Sequence, residues 1–331
     1  MNTRNTQNGL IKKLIALCVV LLIFSVLLVC IHFWENSHSD YPENDGYEAY
    51  GLIKYNGKLY EKRYGITTVL VMGIDSFENN TEELSSYNNS NQADFLMLLI
   101  IDRDKKLCSA VHINRDTMAD VTVLGIGGKV VGTVREQIAL SHTYGSGFHD
   151  SCRNTVRAVS TRLFGVDIDH YISLTMDAVS KINDAVGGVE VELIDDFSAI
   201  DATMQKGKTL LLNGEQALLY VRMRAGLEDS TNLHRMERQR QYLDAFAPKM
   251  FDYLSSNGKN GEELMESLAS DITTDFDLSQ LDKMFSLVEN YSIGEFYALD
   301  GEQTINENYI EFHVDDDSAK KLIIDLMYRE H

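Results

Sequence analysis

The sequence predicts an α/β fold in which a mixed central β-sheet is flanked by helices and preceded by one N-terminal transmembrane helix. Three observations carry that expectation. Leu14 to Trp34 is a 21-residue apolar run broken only by Ser25 and His32, ITTVLVMGID at 66 to 75 has the continuous apolar character of a buried central strand, and strand-like and helix-like patterns alternate on both sides of it.

The elements follow in order. An apolar run of that length spans roughly 30 Å of hydrocarbon as a helix. Arg4, Lys12 and Lys13 precede it and Glu35, Asp40, Glu43 and Asp45 follow. The positive-inside rule therefore leaves residues 1–13 in the cytoplasm and everything after the span outside, as a single-pass protein of the cell membrane. A cleaved signal peptide is the rival reading. It is disfavoured because the run is longer than the roughly 7 to 15 residues of a signal-peptide core.

Residues 35–50 are polar and acidic, a short tether, and 51–331 form the external domain, with a core at 66–250 and a C-terminal extension at 251–331. Asn56-Gly57 between strand-like runs signals a type I′ hairpin. FLMLLIID and KLCSAVHIN flank the turn DRDKK as an antiparallel pair. From Thr133 to Phe164 the pattern reads as helix in two pieces broken at YGSG, the second capped at Asp150 or Ser151. After the strand HYISL come a helix from about Asp177 to Ala185, a GG turn and the strand VEVEL. Asn213 caps a helix over GEQALLYVRM, and HRMERQRQYLDAFAPKM is a helix that Pro248 permits only near its end. AKKLIIDLMYRE is a last amphipathic helix.

Fifty acidic residues against 30 basic ones give a net charge of -20, which argues against nucleic acid as a partner because nucleic acid needs basic stripes. Any anion site must be local. Cys108 and Cys152 lie in the external domain, where a disulfide is permitted, but sequence leaves their pairing open.

Against this acidic background, YVRMRAGLEDSTNLHRMERQRQ gathers Arg222, Arg224, Arg235, Arg238 and Arg240 within nineteen residues. Guanidinium groups repel one another, so an anion must lie among them. Helical spacing i, i+3, i+4, i+7 puts Arg235, Arg238, Gln239 and Tyr242 on one face, beside a core face of Met236, Leu243, Phe246, Ala247 and Met250. Arg222 and Arg224 approach from the preceding element, and Arg240 falls away into solvent. Surface pairing with Glu228, Asp229 and Glu237 is the bland alternative, worth about 0 to 1 kcal/mol per pair. Three acids do not neutralise five arginines, whereas a diphosphate offers acceptors in the bidentate geometry that guanidinium prefers.

Asp75, Asp94 and Arg115 all sit at expected strand ends. A diphosphate commonly carries Mg2+, which accepts one or two carboxylates, so the two aspartates suit a metal. A turn cap or an ion pair with Arg115 explains them equally at this level.

VMGID, QADFLMLLI, INRDTM, GKTLLLNGEQALLYVRMR and HRMERQRQ, in that order over most of residues 66 to 250, resemble the LytR-CpsA-Psr (LCP) family of membrane-anchored cell-wall proteins. The resemblance implies an α/β/α LCP domain and a phosphotransferase. Such enzymes move teichoic acid or capsular polysaccharide from undecaprenyl diphosphate to peptidoglycan, with Mg2+. It implies metal ligation by Asp75 and Asp94 and diphosphate binding by Arg115, Arg222, Arg224, Arg235 and Gln239, a group that helical spacing extends to Arg238. The base for the acceptor hydroxyl is left among Asp75, Asp94 and Asp116. Three positions depart from the family pattern: Gln92 for an arginine, Gln137 for a lysine and Asn114 for proline. An undecaprenyl chain needs an apolar groove, for which the helices around 151 to 185 are candidates. A polyprenyl diphosphate phosphatase and a non-catalytic polymer-binding protein remain the alternatives.

Overall fold

Asn56 and Gly57, at φ 47° and 78°, turn β1, Leu52–Tyr55, back onto β2, Lys58–Lys62, as a type I′ hairpin requires. The computed structural model of the chain describes residues 52–74, 92–125, 128–145, 147–224, 231–256, 260–277, 291–306 and 309–331. The membrane helix expected at 14–34, the tail and tether on either side of it, and Asp75 lie outside these residues. Among the described residues no helix is long and apolar enough to cross a membrane.

The apolar run becomes β3, Ile66–Ile74, with Val69, Leu70 and Met72 fully buried. The expected antiparallel pair is β4, Ala93–Asp102, and β5, Leu107–Ile113. Along β3 and β4 the register runs from Ile66 opposite Asp102 to Gly73 opposite Phe95, then shifts to Ile74 opposite Ala93. Asp94 is the extra residue of that β-bulge, a device that re-aims a side chain.

The next segment departs from the expected helix. β6, Met118–Leu124, pairs with β7, Val130–Gln137, as a two-stranded ribbon, and a 3-10 turn, Ile138–His142, precedes α1, Phe148–Arg162. VVGTVREQ is mostly exposed, so it shows no alternation of apolar and polar residues, while its β-branched residues favour the extended backbone. α1 starts at Phe148 after Gly147, which places Asp150 and Ser151 in its first turn rather than at the cap.

The chain continues through β8, His170–Thr175, α2, Met176–Ala185, β9, Val189–Glu192, and β10, Thr209–Leu212. α3, Gly214–Arg222, begins with the expected Asn213 cap, whose side chain accepts from the Gln216 N–H at 2.9 Å in a capping box. Gly214 is where α3 meets α2, since a Cβ there would fall 2.6 Å from the Ser180 carbonyl oxygen. α4, Asn232–Ser256, runs through Pro248 instead of ending near it. Packing accounts for the continuation, because Leu254 beyond the proline is buried.

α5, Asn260–Ser267, leads to β11, Ile272–Thr274, β12, Ser292–Ala298, the hairpin β13, Gly301–Ile305, and β14, Ile310–Val314, then α6, Asp316–Met327, and β15, Tyr328–Glu330. The main sheet has the order β11-β8-β3-β4-β5-β12, with β3/β8 and β5/β12 parallel and the other pairs antiparallel. The mixed α/β architecture is therefore as expected. Segments after residue 250, read from sequence as an extension, supply both edge strands of the sheet.

On one face Leu70, Met72, Leu96 and Leu98 pack with Ala158 and Val159 of α1 and Ile323 and Met327 of α6. A separate cluster joins β9 and β10 to Tyr220 of α3 and Tyr242 of α4. Cys108 and Cys152 are both free thiols, so the permitted disulfide is not formed, and burial pushes their pKa values up to about 11 and about 12.

Candidate functional site

Three strand ends bring the acidic half of the site together. The bulge sets Asp94 at the start of β4, and Arg115 follows β5 within reach of it. Arg115 Nη1 donates to Asp94 Oδ1, Nη2 to Gln92 Oε1 at 3.0 Å, and Nε to Asp116 Oδ1 at 3.2 Å. Gln92, where the family often has an arginine, thus acts as a neutral acceptor for Arg115. Gln137 lies on β7, not on a helix, and its Nε2 donates to Asp116 Oδ1 at 2.9 Å and to the Ile310 carbonyl at 2.7 Å. Asp116 is almost wholly enclosed, 2% exposed, and its Oδ2 has no partner among the described residues.

α4 supplies the cationic half. Arg235, Gln239 and Tyr242 are buried on one face, as their spacing predicts. Arg235 Nη2 donates to the Asp94 carbonyl at 3.1 Å and to Asn232 Oδ1 at 2.6 Å, while its buried Nε has no partner among the described residues. Burial, with repulsion from Arg224 and Arg115 added, pushes the Arg235 pKa down to about 9. Gln239 Nε2 ties α4 to α3 through the Val221 carbonyl at 3.0 Å. Arg222 is exposed at the end of α3, and Arg224, two residues on, is half-buried with no ion pair among the described residues.

Arg238 is not part of this group. Its guanidinium is fully buried, donating to Asp195 Oδ2 at 2.5 Å, to the Tyr220 carbonyl at 2.9 Å and to the Met223 carbonyl. Its ion pair holds α4 to the segment after β9, its carbonyl bonds hold α4 to the end of α3, and it does not line the cavity described below. Arg240 is exposed, with Asp244 4.0 Å away, as expected.

Three residues that motif reading passed over or noted only as a departure complete the surroundings. Asn114 and Asn232 are buried and joined, with Asn232 Nδ2 donating to Asn114 Oδ1 at 2.6 Å. His112 is buried beside Phe95, with ring centroids 5.0 Å apart, and burial together with Arg235 pushes its pKa down to about 3. It is neutral and adds no charge. The INRDT departure from proline was the available signal for Asn114; nothing short of coordinates pairs it with Asn232.

Next to these groups opens an apolar cavity of ≈ 350 Å³. Asp94, Arg222, Arg235 and Gln239 line it together with Phe95, Met97, Val179, Leu243, Phe246 and Met250. The apolar face of α4 that looks like core from sequence is cavity wall. α2 contributes to the wall, as the sequence allows, but α1 packs on the opposite side of the sheet.

His234 braces the start of α4. Its Nε2 lies 2.9 Å from Asp195 Oδ2 and its Nδ1 3.0 Å from Glu237 Oε2. Burial alone pulls its pKa down, but hydrogen bonds to Asp195 and Glu237 outweigh that and leave it above 6.5. With the folded value raised, the stabilisation is complete below about pH 6.5 and is lost as pH rises through the folded pKa. Urea denaturation from about pH 5 to about pH 9 should therefore show His234→Gln losing less stability on alkalinisation than wild type, by under about 1 kcal/mol. Equal pH slopes for the two proteins would remove this brace.

The model of the LytR_cpsA_psr family matches residues 35–326. A polyisoprenyl-teichoic acid–peptidoglycan teichoic acid transferase TagU of Halalkalibacterium halodurans is 29% identical over 225 residues, 68% of this chain and 64% of that protein. The chain thus spans less than two thirds of that relative's length. TagU of Bacillus mycoides is 31% identical over 203 residues, 60% of this chain and 59% of that protein. Among solved structures, B. subtilis TagV aligns with TM-score 0.61 at 22% identity, covering 80% of this chain and 96% of that one. TagT bound to LIIa-WTA aligns with TM-score 0.59 at 22% identity, covering 80% and 90%. These structures share the fold found here, and with the family model matched along most of its length the chain belongs to the LytR_cpsA_psr family.

Proposed function

We propose that the protein transfers a phosphoglycopolymer of the teichoic acid or capsular type from an undecaprenyl diphosphate carrier to peptidoglycan, outside a single membrane anchor. One observation carries the reading: a single cavity has arginines and an aspartate in its wall next to an otherwise apolar lining. That combination suits an amphiphile with an anionic head and a long hydrocarbon tail. The two relatives compared above, polyisoprenyl-teichoic acid–peptidoglycan teichoic acid transferases by name, agree with it.

In this reading Arg115, Arg222, Arg224 and Arg235 hold the diphosphate. The acceptor hydroxyl attacks the phosphorus that bears the polymer, the bridging P–O bond breaks, and the isoprenyl phosphate leaves. The guanidinium groups match the charge that spreads over the phosphate oxygens. Asp116, enclosed and bonded to Arg115 and Gln137, acts by orienting Arg115. The hydroxyl proton goes to Asp94 or Asp75.

The residues fit Mg2+. Asp94 offers a carboxylate that is 20% exposed on the cavity wall. Mg2+ takes one or two carboxylates and fills its shell with phosphate oxygens and water. Asp94, with Asp75 as the second carboxylate, would hold it, and bound there it supplies neutralising charge to the diphosphate.

The test incubates the full chain in lipid nanodiscs with an isoprenyl diphosphate-linked glycan and peptidoglycan. A covalent glycan–peptidoglycan adduct, with release of isoprenyl phosphate, is expected. Free glycan phosphate without adduct would replace transfer by hydrolysis. Binding that produces neither product, and that survives Asp94→Asn, would make the protein a polymer-binding module.

A further inference from the structure

Arg235 and Arg238 lie one helical turn apart on α4, both buried, yet they are held by different chemistry. Arg238 has the carboxylate of Asp195 at 2.5 Å. Among the described residues Arg235 has no carboxylate bonded to it; its Nη2 rests on two neutral oxygens, the Asp94 carbonyl and Asn232 Oδ1. Asn232 is in turn fixed from its other side. Its Nδ2 donates at 2.6 Å to Asn114 Oδ1, which also accepts the Asp116 N–H at 2.9 Å. Both amides are 1–2% exposed, so no solvent competes for these bonds.

A guanidinium on a flexible stem gains ligand affinity when its orientation is set in advance. We infer that Asn232, anchored by Asn114, is the positioning residue that aims Arg235 into the cavity, linking the α4 cation to the strand end that carries Arg115 and Asp116. The inference rests on the diphosphate-binding role given to Arg235 above. The amides hold the side chain in place by geometry and leave its positive charge for the ligand.

Two probes separate aiming from general integrity: farnesyl diphosphate, and farnesol, which has the same tail without the head. Calorimetric titration of the full chain in detergent is the measurement. Asn232→Ala should weaken farnesyl diphosphate binding by at least about tenfold, the scale of one hydrogen bond to a charged group, and leave farnesol within about twofold. Asn232→Asp, which sets a carboxylate on Arg235 and gives up the donor to Asn114, should also weaken farnesyl diphosphate by at least about tenfold and spare farnesol. Asn232→Ser, which withdraws the acceptor with a smaller change in polarity, should show the same split as alanine and serves if the alanine variant does not fold. Parallel loss of both probes, or no loss of either, overturns the inference. Failure of the wild-type chain to bind farnesyl diphosphate better than farnesol would instead overturn the diphosphate reading itself.

Discussion

Arg235→Met is expected to lower transfer by about 10²- to 10³-fold while leaving stability within about 1 kcal/mol of wild type or above it. The two effects have one cause. A buried guanidinium with no carboxylate bonded to it among the described residues, its pKa pushed down to about 9, is a charge the fold holds at a cost. Methionine has similar length and suits the apolar lining. Its main penalty is the acceptor left on Asn232, about 1 kcal/mol, against relief of the buried charge. Activity has no such compensation, because a preorganised cation facing a diphosphate is worth far more in an enclosed site than in water. The measurements are adduct formation under subsaturating substrate and urea denaturation of the same preparations. Transfer within tenfold of wild type would exclude Arg235 from the chemistry.

Asp195→Ala has the opposite profile. It should cost about 3 to 5 kcal/mol of stability, because it strands the fully buried Arg238 without its counter-ion. It also takes one carboxylate from His234. The control is the double replacement Asp195→Leu with Arg238→Met, which removes both charges and should recover most of the loss even though the Tyr220 and Met223 carbonyls give up a donor. Urea denaturation of Asp195→Leu, Arg238→Met and the double variant gives the coupling energy. If Asp195→Ala costs less than about 1 kcal/mol, the ion pair is not what holds α4 to the segment after β9.

The two arginines also mark what could be read from sequence. Helical periodicity puts residues 235, 238, 239 and 242 on one side of α4, and all four are buried there. Spacing cannot say which cation meets the ligand and which meets the core, because the deciding partner, Asp195, lies 43 residues away from Arg238. For the same reason sequence offers Glu228, Asp229 and Glu237 as neutralising acids and misses Asp195. The acidic half read better: Asp94 and Arg115 fall at strand ends, and strand ends of adjacent strands are neighbours. Buried strands were legible from their apolar runs. β7 was not, because an exposed ribbon has no core to impose a period of two. The apolar face of α4 was legible as apolar; whether side chains or a lipid fill the space against it is decided by the packing of α2 and the sheet around it.

The bulge at Asp94 has a consequence for how the gene tolerates change. In an unbroken strand Asp94 would share a face with Leu96 and Leu98, which are fully buried in the core on the side of α1 and α6. The extra residue lets Asp94 and Phe95 both line the cavity despite being consecutive. Loss of the Asp94 codon would restore regular pleating with Ala93 still on the core side, and would take the acid out of the cavity wall. An in-frame deletion of that one residue is therefore a lesion of the site and not of the core beneath it.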